Sequence, residues 1–190
     1  GVFAKGIIVS GDVNRNMERF LGTEFFKTRY SLGGGVSASR KVTAGGFLGW
    51  GDQVLFSDAP FLGESFDLML FTNVRPVARL SSDLLLISSR FRDPIIKDVL
   101  FNVRVVRTLT TYQLSNRLQI RNIMEYNTQS RALSANLLFT YRVNAGTVFY
   151  LGYDDHYQQG DVLDSSRFRT AELQRTNRAI FTKLSYLFRF

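Results

Sequence analysis

A two-residue alternation of apolar and polar side chains organises the chain, and helical spacing is hard to find in it. The cleanest stretch is 133–143. There Leu133, Ala135, Leu137, Phe139, Tyr141 and Val143 share one face, and Ser134, Asn136, Leu138, Thr140 and Arg142 share the other. Successive side chains of a strand point to opposite faces, so this reads as a strand with one apolar and one mostly polar surface. Near the C-terminus Ile180, Leu184, Tyr186, Phe188 and Phe190 oppose Ala179, Lys183, Ser185 and Arg189, with Thr182 interrupting the apolar row. In 117–126, Leu118, Ile120, Met124 and Tyr126 oppose Arg117, Gln119, Arg121 and Glu125. Segment 99–112 places Phe101, Val103, Val105 and Leu109 opposite Asn102, Arg104, Thr108 and Thr110, with Arg107 breaking the apolar row. Segments 64–75 and 147–157 alternate in the same way, and 2–14, 24–38, 42–51 and 77–90 do so with weaker contrast.

These segments predict ten antiparallel strands of about 10–14 residues. That exceeds the soluble norm of about 5–6 and matches the roughly 9–11 tilted residues that cross a bilayer, with extensions. Short links at Ser39-Arg40-Lys41, Arg75-Pro76, Leu114-Ser115-Asn116 and Asn144-Ala145-Gly146 alternate with longer ones near 15–23, 52–63, 91–98, 127–132 and 158–176. Tight turns on one side and long loops on the other predict an all-β, antiparallel, up-and-down transmembrane β-barrel. Both chain ends then fall on the tight-turn side. Glycines at 33–35, 45, 46, 49 and 51 permit bends or close packing.

Alternation alone does not say which face is out. A soluble barrel turns its apolar face inward, whereas a membrane barrel turns it toward lipid and encloses the polar one. Strand length favours the membrane. So do Tyr112, Tyr126, Tyr141, Tyr150, Tyr153, Tyr157, Phe188 and Phe190, which lie near strand ends where interfacial aromatic girdles form. The polar face carries Arg104, Arg117, Arg121, Glu125, Arg142 and Lys183, here expected to face an enclosed aqueous lumen, although a solvated outer face would look the same.

Composition narrows the chemistry. The 190 residues include no Cys and one His, which excludes a disulfide scaffold, thiol catalysis and multi-histidine metal sites. Lys and Arg number 24 against 16 Asp and Glu, for a net charge of +8. The arginines are spread one or two per strand without a recognition motif, so no nucleic-acid partner is expected. No apolar run approaches the length of a spanning helix. Gly1 opens directly in a strand-like segment without a signal-peptide pattern, so the chain is expected to be mature, trimmed or a fragment.

The C-terminal string Leu184-Ser185-Tyr186-Leu187-Phe188-Arg189-Phe190 is the most specific motif. Leu184, Tyr186, Phe188 and Phe190 look like the terminal-strand signal that barrel-assembly machinery reads by strand addition. From about residue 100 onward, Leu109-Thr110-Thr111-Tyr112-Gln113, Glu125-Tyr126-Asn127, the run Asn144 to Tyr153 and the run Phe181 to Phe188 resemble one group of proteins. These are large uncharacterised envelope proteins whose C-terminal outer-membrane β-barrel domain follows a carbohydrate-binding-like β-sandwich. The resemblance implies that residues 1–190 form such a barrel, or the C-terminal part of a larger one, in the outer membrane of a Gram-negative cell. It also implies outer-membrane lipid, lipopolysaccharide, the assembly machinery and other envelope proteins as partners. It supplies no catalytic residue.

Asp154-Asp155-His156 is the one cluster that suggests catalysis, because outer-membrane rim hydrolases activate water with Asp and His. Here Asp154 and His156 share a face while Asp155 points away, and a polar strand end explains the triplet more simply. Asp154, Asp155, Asp161 and Asp164 fit no standard calcium loop. Ser165-Ser166 lacks a second histidine relay, and Gly33-Gly34-Gly35 is not followed by the Lys-Ser/Thr of a phosphate loop. No metal or cofactor is expected. The expectation is a non-enzymatic membrane anchor or pore component in a porin-like fold. A rim-active hydrolase and a soluble lipocalin-like barrel are the alternatives.

Overall fold

A computed structural model of the chain describes the backbone of residues 2–3, 6–163 and 166–187, and the side chains of 6–160 and 172–187. Among these residues the protein is all-β, without a helix. A two-residue β1 (Val2–Phe3) precedes ten long strands: β2 (Ile7–Phe20), β3 (Thr23–Ser39), β4 (Val42–Leu55), β5 (Phe61–Val77), β6 (Leu80–Arg92), β7 (Val99–Gln113), β8 (Leu118–Asn127), β9 (Ala132–Asn144), β10 (Thr147–Leu163) and β11 (Ser166–Tyr186). They follow one another in a single up-and-down sheet in sequence order. No pairing joins the first strand to the last among the described residues.

The expected strands are present, but several expected long loops are not. The stretch 15–23 belongs to a hairpin in which β2 and β3 stay paired as far as Phe20 and Thr23. Leu21 and Gly22 close it with φ of 48° and 81°, the left-handed geometry of a two-residue turn. Likewise β10 and β11 remain paired as far as Leu163 and Ser166 across the expected 158–176 loop. Polar side chains do not stop two strands from pairing; they only end the apolar row by which strands are recognised. The remaining links use local caps. The Asp93 carboxylate accepts from the backbone N–H of Ile95 and Ile96, and the Asn127 side chain accepts from Gln129 and Ser130.

Contacts divide the sheet into two units: Gly1–Thr72 with Leu85–Arg104, and Asn73–Leu84 with Val105–Phe190. In the first unit, Arg29 on β3 donates to Asp67 at 2.7 Å, Gln53 at 2.8 Å and Ser65 at 3.0 Å. Ser89 donates to the other Asp67 oxygen at 2.6 Å. Four strands thus meet in one charge-assisted network on one face. The opposite face carries Tyr30 stacked on Trp50, with Leu32 and Leu48 directly paired beside them. Phe26 on this row is 63% exposed. Gly45 lets two groups come close: a Cβ there would lie 2.6 Å from the Phe71 ring and 2.7 Å from the Gly34 carbonyl oxygen. Phe91 fills the space beside Gly63 and stacks on Phe101 at 5.5 Å.

In the second unit the registers fix the faces of four strands. One face carries Leu118, Ile120, Met124 and Tyr126 on β8, Leu133 to Val143 at alternate positions on β9, Phe149, Leu151 and Tyr153 on β10, and Ile180 and Leu184 on β11. The other face carries Arg117, Gln119, Arg121 and Glu125, then Ser134, Asn136, Leu138, Thr140 and Arg142, then Tyr150, Asp154 and His156, then Lys183. Ile180 is 70% exposed, Leu184 66% and Leu137 44%. Among the described residues only Phe25, Val54 and Phe91 are buried hydrophobics. Among the described residues no hydrophobic side chain of this row is buried.

Candidate functional site

The polar face of the second unit is graded in charge. At the tight-turn end, β8 begins after the Leu114-Ser115-Asn116 turn, where Ser115 Oγ accepts from the backbone N–H of Arg117 and Leu118. The Arg142 N–H donates to the Arg117 carbonyl at 2.7 Å, which sets these two arginines side by side across β8 and β9. Arg121 lies farther along β8, opposite Leu138, and Gln119 lies opposite Thr140. Together with Gln113, Val148 and Tyr150 they line a cleft of about 390 Å³. Among the described residues no carboxylate lines it. None of Arg117, Arg121 and Arg142 forms an ion pair among the described residues. Lys183, across from Tyr150, places its ammonium 6.0 Å above that ring.

The acidic groups of this face lie toward the other strand ends. Glu125 is 3.9 Å from Arg107. Asp154 Oδ2 lies 2.9 Å from His156 Nε2. Between the two ends the Phe181 ring occupies the space over Gly152, where a Cβ would come within 2.1 Å of it. Of the residues expected on the polar face, Arg117, Arg121, Glu125, Arg142 and Lys183 share it. Arg104 does not: along β7 it has the parity of Val106 and Thr108, and Thr108 pairs with Met124 of the apolar row. Segment 99–112 misled because Leu109 and Ile123 are apolar residues on the polar face, paired with each other.

Asp154 and His156 do share a face, with Ser134 opposite His156. No hydrogen bond joins that serine to the imidazole, and both Asp154 and His156 come from one strand.

Sequence reasoning missed a second cluster, on the opposite face. Asp155 is 3% exposed although it belongs to the apolar row. Its Oδ2 accepts from Tyr153 and Tyr157 hydroxyls, each at 2.7 Å, and from Arg178 on β11 at 2.9 Å. Arg175 Nε is 3.8 Å from Oδ1. The Arg178 guanidinium also lies 5.5 Å from the Tyr153 ring centroid. Buried charge needs such partners. The signal available in the sequence was the Tyr-x-Asp-x-Tyr spacing, which puts all three side chains on one strand face. Of the C-terminal motif, Leu184 and Tyr186 project from the apolar row at 66% and 59% exposure. Phe188 and Phe190 lie outside the described residues, as do Asp164 and Ser165.

No protein-family profile matches the chain, and no curated protein matches it. Among solved structures it is similar to the crystal structure of the P. putida toluene transporter TodX, with 12% identity and a TM-score of 0.40. The match covers 97% of this chain and 55% of that one, so the chain spans about half the transporter's length. At this identity and score the likeness supports no inference about activity.

Proposed function

We propose that the chain is a membrane-spanning β-barrel, or the C-terminal part of one, in the outer membrane of a Gram-negative cell. It serves there as an anchor or pore component and performs no catalysis. The observation that carries this is an exposed apolar row on one face of the sheet. Leu137, Ile180 and Leu184 stand exposed on one face, while Arg117, Arg121 and Arg142 share the other. A sheet that leaves such a row in water forgoes about 25 cal/mol for every Å² of apolar surface. Lipid removes that cost, and a closed barrel leaves no backbone donor unpaired within it. Closure requires β11 to meet the first strand or further strands of a longer chain. The resemblance to envelope proteins with an N-terminal carbohydrate-binding-like domain is part of this proposal, as are lipopolysaccharide and the assembly machinery as partners.

Fractionation tests the reading. The chain should stay with membranes after carbonate washing, should need detergent for extraction, and should migrate faster on SDS gels before boiling than after it. Recovery in detergent-free buffer as a monodisperse species with one migration position would overturn it.

A further inference from the structure

We infer that the cleft between the β7–β8 turn and β9–β10 binds a small polyvalent oxyanion of the phosphate type. The inference deepens the membrane reading and rests on it in one respect, that the polar face meets water.

The first support is a charge imbalance that the fold does not correct. Arg117 and Arg142 are direct cross-strand neighbours, and like charges in that position destabilise a sheet. Some cations elsewhere in the protein are answered locally. Arg29 meets Asp67, Lys27 meets Glu18, Arg19 meets Glu24 and Arg178 meets Asp155. In this cleft Arg117, Arg121 and Arg142 meet no carboxylate among the described residues. An anion from solution would supply the missing charge.

The second support is donor geometry. Alternate residues of one strand, about 6.6 Å apart along it, project from the same face. The guanidiniums of Arg117, Arg121 and Arg142 therefore start within about 13 Å of one another, and their long side chains can converge on one small ligand. Guanidinium presents paired N–H donors that match phosphate oxygens bidentately. Gln113, Gln119, Thr140 and Tyr150 add neutral donors around the same cleft. A volume of about 390 Å³ holds an inorganic or small organic phosphate.

The third support is polarity along the face. Glu125 and Asp154 lie toward the opposite strand ends, where Arg107 partly offsets them, so the unopposed positive charge on this face is at the tight-turn end. That places a binding site at one mouth rather than a uniformly basic passage.

The test is calorimetric titration of the protein, folded in zwitterionic micelles and checked by circular dichroism, with inorganic pyrophosphate. One saturable site is expected. Binding should weaken at least tenfold in Arg117→Gln/Arg142→Gln and stay unchanged in Arg40→Gln, which alters the β3–β4 turn. Absence of saturable binding, or equal binding by the double variant, overturns the inference. Repeating the titration with phosphatidylglycerol added to the micelles separates the two sources of phosphate. Competition in proportion to the lipid would assign the cleft to headgroups and overturn the free-anion assignment, whereas unchanged affinity supports it. Because micelles keep the chain folded whatever its native location, failure here is distinguishable from failure of membrane fractionation.

Discussion

Replacing Leu137 by arginine separates lipid from water around the apolar face. Leu137 lies in β9, seven residues before Asn144 at the tight turn. At about 3.3 Å per residue that is about 23 Å along the strand, or about 16 Å of depth at a tilt of about 45°. A hydrocarbon core of about 30 Å has its midplane at about 15 Å, so in the proposed bilayer Leu137 would sit near the centre. Arginine on the lipid face at that depth costs about 2–4 kcal/mol. In water the same change, at a side chain already 44% exposed, would shift stability by no more than about 0.5 kcal/mol.

Asn136→Arg is the internal control. It lies one residue away on the polar face, opposite Asp154, where a positive charge is accommodated. The two variants should differ about 30- to 1,000-fold in folding equilibrium constant. Urea titration in phospholipid vesicles reads this through Trp50, the single tryptophan. Equal stability of the two variants would refute the reasoning, because it would mean that both faces meet the same solvent.

Other perturbations report on the supports of the fold. Gly51→Ala should lower stability by about 1–3 kcal/mol from backbone strain alone. Gly51 has φ of 124°, and its Cβ would fall 2.3 Å from the Thr28 carbonyl oxygen, so a falling urea midpoint is expected. Phe91→Ala removes a ring that is 1% exposed and should cost about 3–5 kcal/mol by the same measurement. Asp67→Asn weakens the Arg29 and Ser89 bonds and should cost about 2 kcal/mol, with little further loss when Arg29→Gln is added. Asp155→Ala/Arg178→Gln should cost less than the sum of the two single changes, since each single change leaves its partner's charge unpaired. Additive losses would show that the pair is not coupled.

The alternation of 133–143 and 179–186 carried most of the fold, because a strand with unlike faces shows its period directly. Where polar residues occupy both faces the period vanishes while pairing continues. This is why the β2–β3 hairpin through Leu21-Gly22 and the β10–β11 extension through Leu163 were read as loops. Face assignment failed at Arg104 for a related reason: Thr108, Thr110 and Asn122 dilute the apolar row, while Leu109 and Ile123 occupy the polar one. The basic residues of the cleft were visible individually. Their convergence was not, because the Arg117–Arg142 juxtaposition depends on cross-strand register. The Asp155 cluster was hidden by its neighbours, since Asp154 and His156 drew attention to the opposite face.

The most direct measurement uses the absence of native cysteine. Single cysteines placed at Leu137, Leu184, Asn136 and Lys183 can each carry a nitroxide label in vesicles. Labels at 137 and 184 should be relaxed by dissolved oxygen, which partitions into acyl chains, and those at 136 and 183 by a water-soluble nickel chelate. Nickel relaxation at 137 and 184, with oxygen dominance at 136 and 183, would contradict the account.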